Sequence, residues 1–311
     1  MMILRSLLVL LALLSAAQAA EVVFPVGSRV GLAPPPGLSK SSNFQGFEDA
    51  EHNVAMIVAA LPREALWDLQ RSTSAEELKK RGLTFEKRED QKLADGDAFL
   101  VIAHQEVEKM KLRKWIFAVV AQDLIALVTA QVPDDAAKLY PDDAIRSALS
   151  SVAIRSTVPV EEQLGMLPFR VGDLAQFRIG GVIPGRAVML TDSPGEDLGP
   201  DVNAHIVVAV APGGPGQASN RDAFARDLFG TIPNLKDVHI NSAEPLRIGG
   251  QPGHQVMAVG KDLRTGNGIN VVQWLRFGSG AYIHMIAVAP SSGWIQAYAR
   301  FRQVRDGIDL Q

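Results

Sequence analysis

Three histidines, His205, His254 and His284, sit near the starts of apolar segments in the second half of the chain. The matching places in the first half hold Ala55, a residue near Ala98, and Leu127. Imidazole is a common transition-metal ligand, so three rings carried to one face of a sheet by neighbouring strands would make a copper or zinc site. The structural alternative is three separate strand-end histidines, each with its own local hydrogen bond. A second constellation is basic. Lys109, Lys111 and Arg113 alternate in "KMKLRKW", and a period of two puts them on one strand face near Trp115. That row would suit an anionic ligand or a partner's acidic patch, or form a solvated face opposite Met110 and Leu112.

A third group is aromatic. Trp294, Tyr298 and Phe301, joined by Ile295, fall at helical spacing near the C-terminus. Such a stripe faces a core by default; if two domains pack through it, it becomes their contact or a cleft for an apolar ligand. The pairs Asp134-Asp135 and Asp142-Asp143 imitate an acid/base dyad, yet each stands where a helix begins and carboxylates are favoured by the dipole. Motifs of nucleophile-elbow, zincin, Walker A and dinucleotide-binding type do not occur. "RTGNGIN" at Arg264 to Asn270 is glycine-rich but lies between two strands, where it makes a hairpin turn and has no helix N-terminus behind it.

Composition narrows the classes. There is no cysteine, which excludes disulfides, thiolate metal sites and a cysteine nucleophile. Lys plus Arg total 31 against 34 for Asp plus Glu, a net charge of −3 that offers no electrostatic reason to bind nucleic acid or anionic lipid. Met1 to Ala20 combines Arg5, an apolar run from Leu7 to Leu14 and Ala17-Gln18-Ala19, the pattern of a secretory signal cleaved near Ala19 or Ala20. The run is too short to span a bilayer, and no later segment is long and apolar enough, so the expectation is an exported, periplasmic, soluble chain with no membrane span.

The elements that must carry these residues come in two matched sets. "HNVAMIVAALP" (His52 to Pro62) starts a strand, and "REALWDLQRSTSAEELKKRG" follows as helix, with Ser74 and Glu77 at capping-box spacing and Gly82 as its stop. Strands are expected at Phe85 to Asp90, Ala98 to His104, Leu112 to Ala121 and Leu124 to Val132, the last two joined by a turn at Gln122-Asp123, before a closing helix. The second half repeats this order. "NAHIVVAVAP" (Asn203 to Pro212) answers the first strand, "NRDAFARDLFG" the helix with Asn220 as cap, and "GHQVMAVG" the segment "AFLVIAH". A hairpin led by Trp274 answers the one led by Trp115, and a helix opened by Pro290-Ser291-Ser292 ends the set. A repeat at roughly 150 residues signals a duplicated domain. The boundaries expected are 1–20 for the signal, 21–156 and 164–311 for the copies, and 157–163 for a linker, with a break at "TDSPGEDLGP" inside the second copy.

Hairpin links and strands apolar on both sides predict, for each copy, an α/β/α sandwich: an antiparallel sheet covered by helices on both faces, α+β in class. The "GLAPPPG…NVAMIVAALP" start, the Trp-led hairpin and the capped terminal helix resemble the PsbP-like fold, in tandem. That family is functionally mixed, so the resemblance implies mainly a non-catalytic protein. The expectation is an accessory or binding module with an envelope protein or a small ligand as partner, its site at the domain interface, and no cofactor unless the histidines hold a transition metal. Two alternatives stay open: a metal-dependent or hydrolytic enzyme using the second-copy histidines, and an oligomeric structural component of the envelope.

Overall fold

The computed structural model describes residues 21–93, 95–194 and 203–310; the segment 1–20 expected to be a signal and most of the "TDSPGEDLGP" segment lie outside them. The chain divides into two compact units at Val158 and Pro159. Of the expected linker, Val160 to Gln163 lie in a helix of the second unit.

The first unit begins with the short strands β1 (Val30–Gly31), β2 (Ser39–Lys40) and β3 (Gly46–Asp49), followed by β4 (Val54–Pro62). Helices α1 (Leu66–Ser72) and α2 (Ala75–Lys80) lead to the long strands β5 (Leu83–Leu93), β6 (Gly96–Val107), β7 (Met110–Val120) and β8 (Leu124–Pro133). Helix α3 (Asp142–Ser150) and β9 (Ala153–Ile154) close it. The second unit opens with α4 (Val160–Gly165), β10 (Phe169–Val171), β11 (Arg178–Ile183) and β12 (Ala187–Thr191). Then come β13 (His205–Pro212), α5 (Arg221–Phe229), β14 (Leu235–Ile248), β15 (Gln251–Asp262), β16 (Gly268–Phe277) and β17 (Ala281–Pro290), with α6 (Trp294–Asp306) and β18 (Ile308–Leu310) last.

The two sheets are copies. Each has seven strands, ordered β2-β3-β4-β8-β7-β6-β5 in one and β11-β12-β13-β17-β16-β15-β14 in the other, and every neighbouring pair is antiparallel. In each unit a strand near the start also pairs with the strand after the terminal helix, β1 with β9 and β10 with β18.

Alternation along the central strands sends each sheet's side chains into two cores. In the first unit, Met56, Trp115, Phe117 and Val128 meet Ile145 and Leu149 of α3 on one face. Phe99, Val101, Ala118 and Ile125 meet Leu69 of α1 and Leu78 of α2 on the other. The second unit does the same, with Trp274 and Met285 under Phe301 and Val304 of α6, and Val256, Val271 and Leu275 under Ala225 and Phe229 of α5. Two repeated α/β/α units with central antiparallel sheets are therefore present, as the hairpin pattern predicts.

Pairing registers correct the sequence match in one respect. Pro133 faces Leu112 and Pro290 faces Ile269, so those prolines are equivalent. From them, Trp115 opposite Ala130 corresponds to Val272 opposite Ala287, while Trp274 opposite Met285 corresponds to Phe117 opposite Val128. The two tryptophans fill the same core face one pleat apart.

Candidate functional site

The second-copy histidines share one face of their sheet, the face under α5, but do not converge. His284 on β17 pairs with Leu275 on β16, which pairs with His254 on β15, so a whole strand lies between the two imidazole-bearing strands, roughly 10 Å of backbone separation. His205 stands four residues along β13 from Ala209, the partner of His284, or roughly 13 Å away. A single ion bonded to nitrogen at about 2.1 Å cannot be held by rings so dispersed. Among the described residues no group of three or more His, Asp or Glu is placed to hold a metal. The expectation of a site at His205, His254 and His284 is thus overturned by the strand interposed between β15 and β17.

Each ring instead has a local role. His284 Nε2 lies 3.0 Å from Gln273 Oε1, and fully buried Gln273 donates through Nε2 to the carbonyl of Ala225 in α5 at 2.8 Å. This chain ties the sheet to the helix above it. Burial pushes the His284 imidazole down to about 4, so it is neutral at physiological pH. His254 is buried and its Nε2 stands 3.2 Å from Asp222 Oδ1 on α5, while its Nδ1 is buried without a partner. Burial lowers its pKa, with the Asp222 charge acting in the opposite sense. The His205 Nδ1 lies 2.9 Å from the carbonyl of Asn203.

The basic row is also rearranged. Glu108 and Lys109 form the two-residue turn between β6 and β7, with φ of 48° and 77°, so Lys109 is on no strand face. Lys111 is exposed. Arg113 points to the α3 side, with its guanidinium 5.2 Å from the Trp115 ring, 3.0 Å from Glu86 and 3.3 Å from Asp142. There it joins a network in which Arg146 spans Glu89 and Asp142 and holds the Glu89 carboxyl down at about 2. Asp142 lies in the first turn of α3 but makes no capping bond; it accepts from Trp115 Nε1 at 3.0 Å and from Arg146. In this row Arg113 buttresses α3, and Lys109 and Lys111 are exposed.

The aromatic stripe packs inward, as its spacing implies for a core face. Tyr298 stacks on Trp274 at 6.0 Å and lies 5.2 Å from Trp294, and Phe301 stacks on Phe177 at 5.3 Å. The Tyr298 hydroxyl and Trp274 Nε1 both reach Gln255 Oε1, at 3.3 and 2.7 Å. Ile295, placed in this stripe by its neighbours, is instead 81% exposed.

What sequence spacing missed is a hollow. On the α5 face, beside His205, a cavity of about 430 Å³ is floored by Val207, Ile269, Ile286 and Val288 and walled by Ile232 and Leu235. Its rim carries Asn203, Asn234, Asp262 and Arg264. In the first unit α2 packs on the sheet through Leu78, while in the second the chain passes from α5 to β14 with no second helix. Its volume lies in the range of small-molecule sites.

Comparison with known proteins gives low similarity throughout. Neither a family model nor a curated protein matches the chain. Among solved structures, PsbP (CyanoP) of Synechocystis sp. PCC 6803 shares 16% identity, with 42% of this chain and 78% of that one covered and a TM-score of 0.30. LpqN of Mycobacterium tuberculosis, described as involved in cell envelope biogenesis, shares 12%, covering 46% and 83% at a TM-score of 0.36. The immunity protein TplEi of Pseudomonas aeruginosa shares 10%, covering 93% and 97% at a TM-score of 0.29.

Proposed function

We propose that the chain is an exported, periplasmic binding or accessory module that works without catalysis, and that its second unit does the binding. The observation that supports this is the apolar cavity beside His205, left uncovered between α5 and the sheet. The side chains whose types suggested chemistry have structural duties instead: His284 and Gln273 hold α5, Arg113 and Asp142 hold α3, and Tyr298 fills a core. The N-terminal segment supports export, and among the described residues no helix is long and apolar enough to cross a membrane.

The test is to immobilise the mature chain, expose it to periplasmic extract, and identify retained components by mass spectrometry. We expect a component retained by the wild type and lost on Ile286→Thr/Val288→Gln. Retention of nothing overturns the binding reading. Turnover of ester or phosphate model substrates that vanishes in His254→Gln would replace it with an enzyme.

A further inference from the structure

The duplication provides an internal comparison for the cavity. With β8 and β17 aligned through their pairing to β4 and β13, Thr129 corresponds to Ile286 and Gln131 to Val288. The first unit therefore presents Thr129 and Gln131 where the second presents Ile286 and Val288, while Ile57 and Leu112 stand where Val207 and Ile269 do. A half-covered patch built of polar groups is satisfied by water; the same patch built of aliphatic groups, and hollowed, is satisfied by an aliphatic guest. The lining contains no Phe, Tyr or Trp, which favours a flexible chain over a stacked planar ligand.

The rim sets the other end of that guest. The Asn203 carbonyl can only accept, so His205 Nδ1 carries the proton of that hydrogen bond, and in that tautomer Nε2 is the nitrogen that accepts. Asp262 is held by the Thr265 amide and hydroxyl at 2.7 and 2.8 Å, contacts that keep it ionised. Arg264, two residues on, offsets that charge. Asp262 and Arg264 balance one another three strands away from His205, so the acceptor beside the aliphatic floor is His205, which suits a group that donates one hydrogen bond and carries no net charge. We infer that the cavity of the second unit binds a neutral aliphatic amphiphile with a hydroxyl head, its chain against Val207, Ile286 and Val288 and its hydroxyl donating to His205 Nε2. This rests on the binding reading above and names its ligand class.

The experiment titrates the full mature chain at pH 8 with 1-octanol, octanoate and octyltrimethylammonium, each below its aggregation limit, followed by calorimetry and by chemical shifts of the Ile and Val methyls. The inference expects saturable binding of 1-octanol, at least tenfold weaker binding of both charged analogues, and at least a tenfold loss for 1-octanol in Ile286→Thr/Val288→Gln. Those two substitutions write in residues that the first sheet already carries, and an unchanged thermal transition confirms that the fold is kept. A second variant, Val207→Ser, reads the same site from β13 if the double variant does not fold. No saturable binding of 1-octanol, equal binding of the charged analogues, or affinity unchanged by either variant overturns the inference. If extract components are retained while 1-octanol is not bound, the ligand class fails and the binding reading stands; if neither is bound, both fail.

Discussion

At the scale of single residues, the histidines matter more for stability than for chemistry. His284 is neutral in the folded protein because burial pushes it down to about 4, while in an unfolded chain it titrates near its ordinary value. The unfolded state then binds more protons over the interval between them, so this contribution to stability is complete above about pH 6.5 and is lost as pH falls toward 4, by about 3 kcal/mol at most. We predict that the second unit's melting temperature falls steadily between pH 7 and 4.5, and that His284→Leu, which installs the residue of the first copy, flattens that dependence. Equal acid sensitivity in the variant would show that His284 is not responsible. His254 adds to the trend in the same direction, since burial lowers it too. On the other unit, Lys111→Ala should change stability by less than about 0.5 kcal/mol, whereas Arg113→Ala should cost about 1 kcal/mol, because Glu86, Asp142 and the Trp115 ring lose a shared partner. Chemical denaturation of both variants reads the difference, and equal costs would return Arg113 to the solvated face.

At the scale of elements, α5 is fastened by a polar chain where the first copy uses apolar contact: Gln273 and His284 correspond to Ile116 and Leu127. Changing Gln273→Ile alone strands a buried His284 donor and should cost about 2 kcal/mol. Adding His284→Leu should recover most of that loss, so the two changes couple by more than about 1 kcal/mol in a double-mutant cycle. Additive losses would mean that the contact carries no energy. Much of this architecture was legible beforehand. Repeated order, Pro-terminated strands and Gly82 announced two sandwiches. The tryptophan match misled, because a slip of two residues leaves every side chain on its own face and hydrophobic pattern is blind to it. The long edge strand β14 was hidden by its charged and polar residues, and of β5 only the middle, Phe85 to Asp90, was expected. The histidine cluster failed for a different reason: spacing along a chain does not reveal that β16 runs between β15 and β17. The hollow was invisible because its lining comes from segments as far apart in sequence as His205, Leu235, Ile269 and Ile286.

At the scale of the whole molecule, two units with separate cores should respond separately. Acid reaches them in different windows. The second weakens below about pH 6.5 through its buried imidazoles. The first holds until Glu89 and Asp142, both kept below the usual carboxylate range in the folded state, must take up protons. Their stabilisation is present above about pH 4.5 and is lost as pH falls toward about 2. Calorimetry of the full chain should therefore resolve two transitions, of which the second unit's moves down relative to the first's as pH drops from 7 to 5, and a single transition moving as one would refute the separation. A last consequence belongs to the small clasps in which Val30 faces Ile154 and Phe169 faces Leu310. They bring the head and tail of each sandwich side by side. A module that begins where it finishes can be strung in series, spliced into a foreign loop or cut open elsewhere and rejoined without stretching a strand. Setting two such folds end to end in one chain needs only a few residues of slack between them.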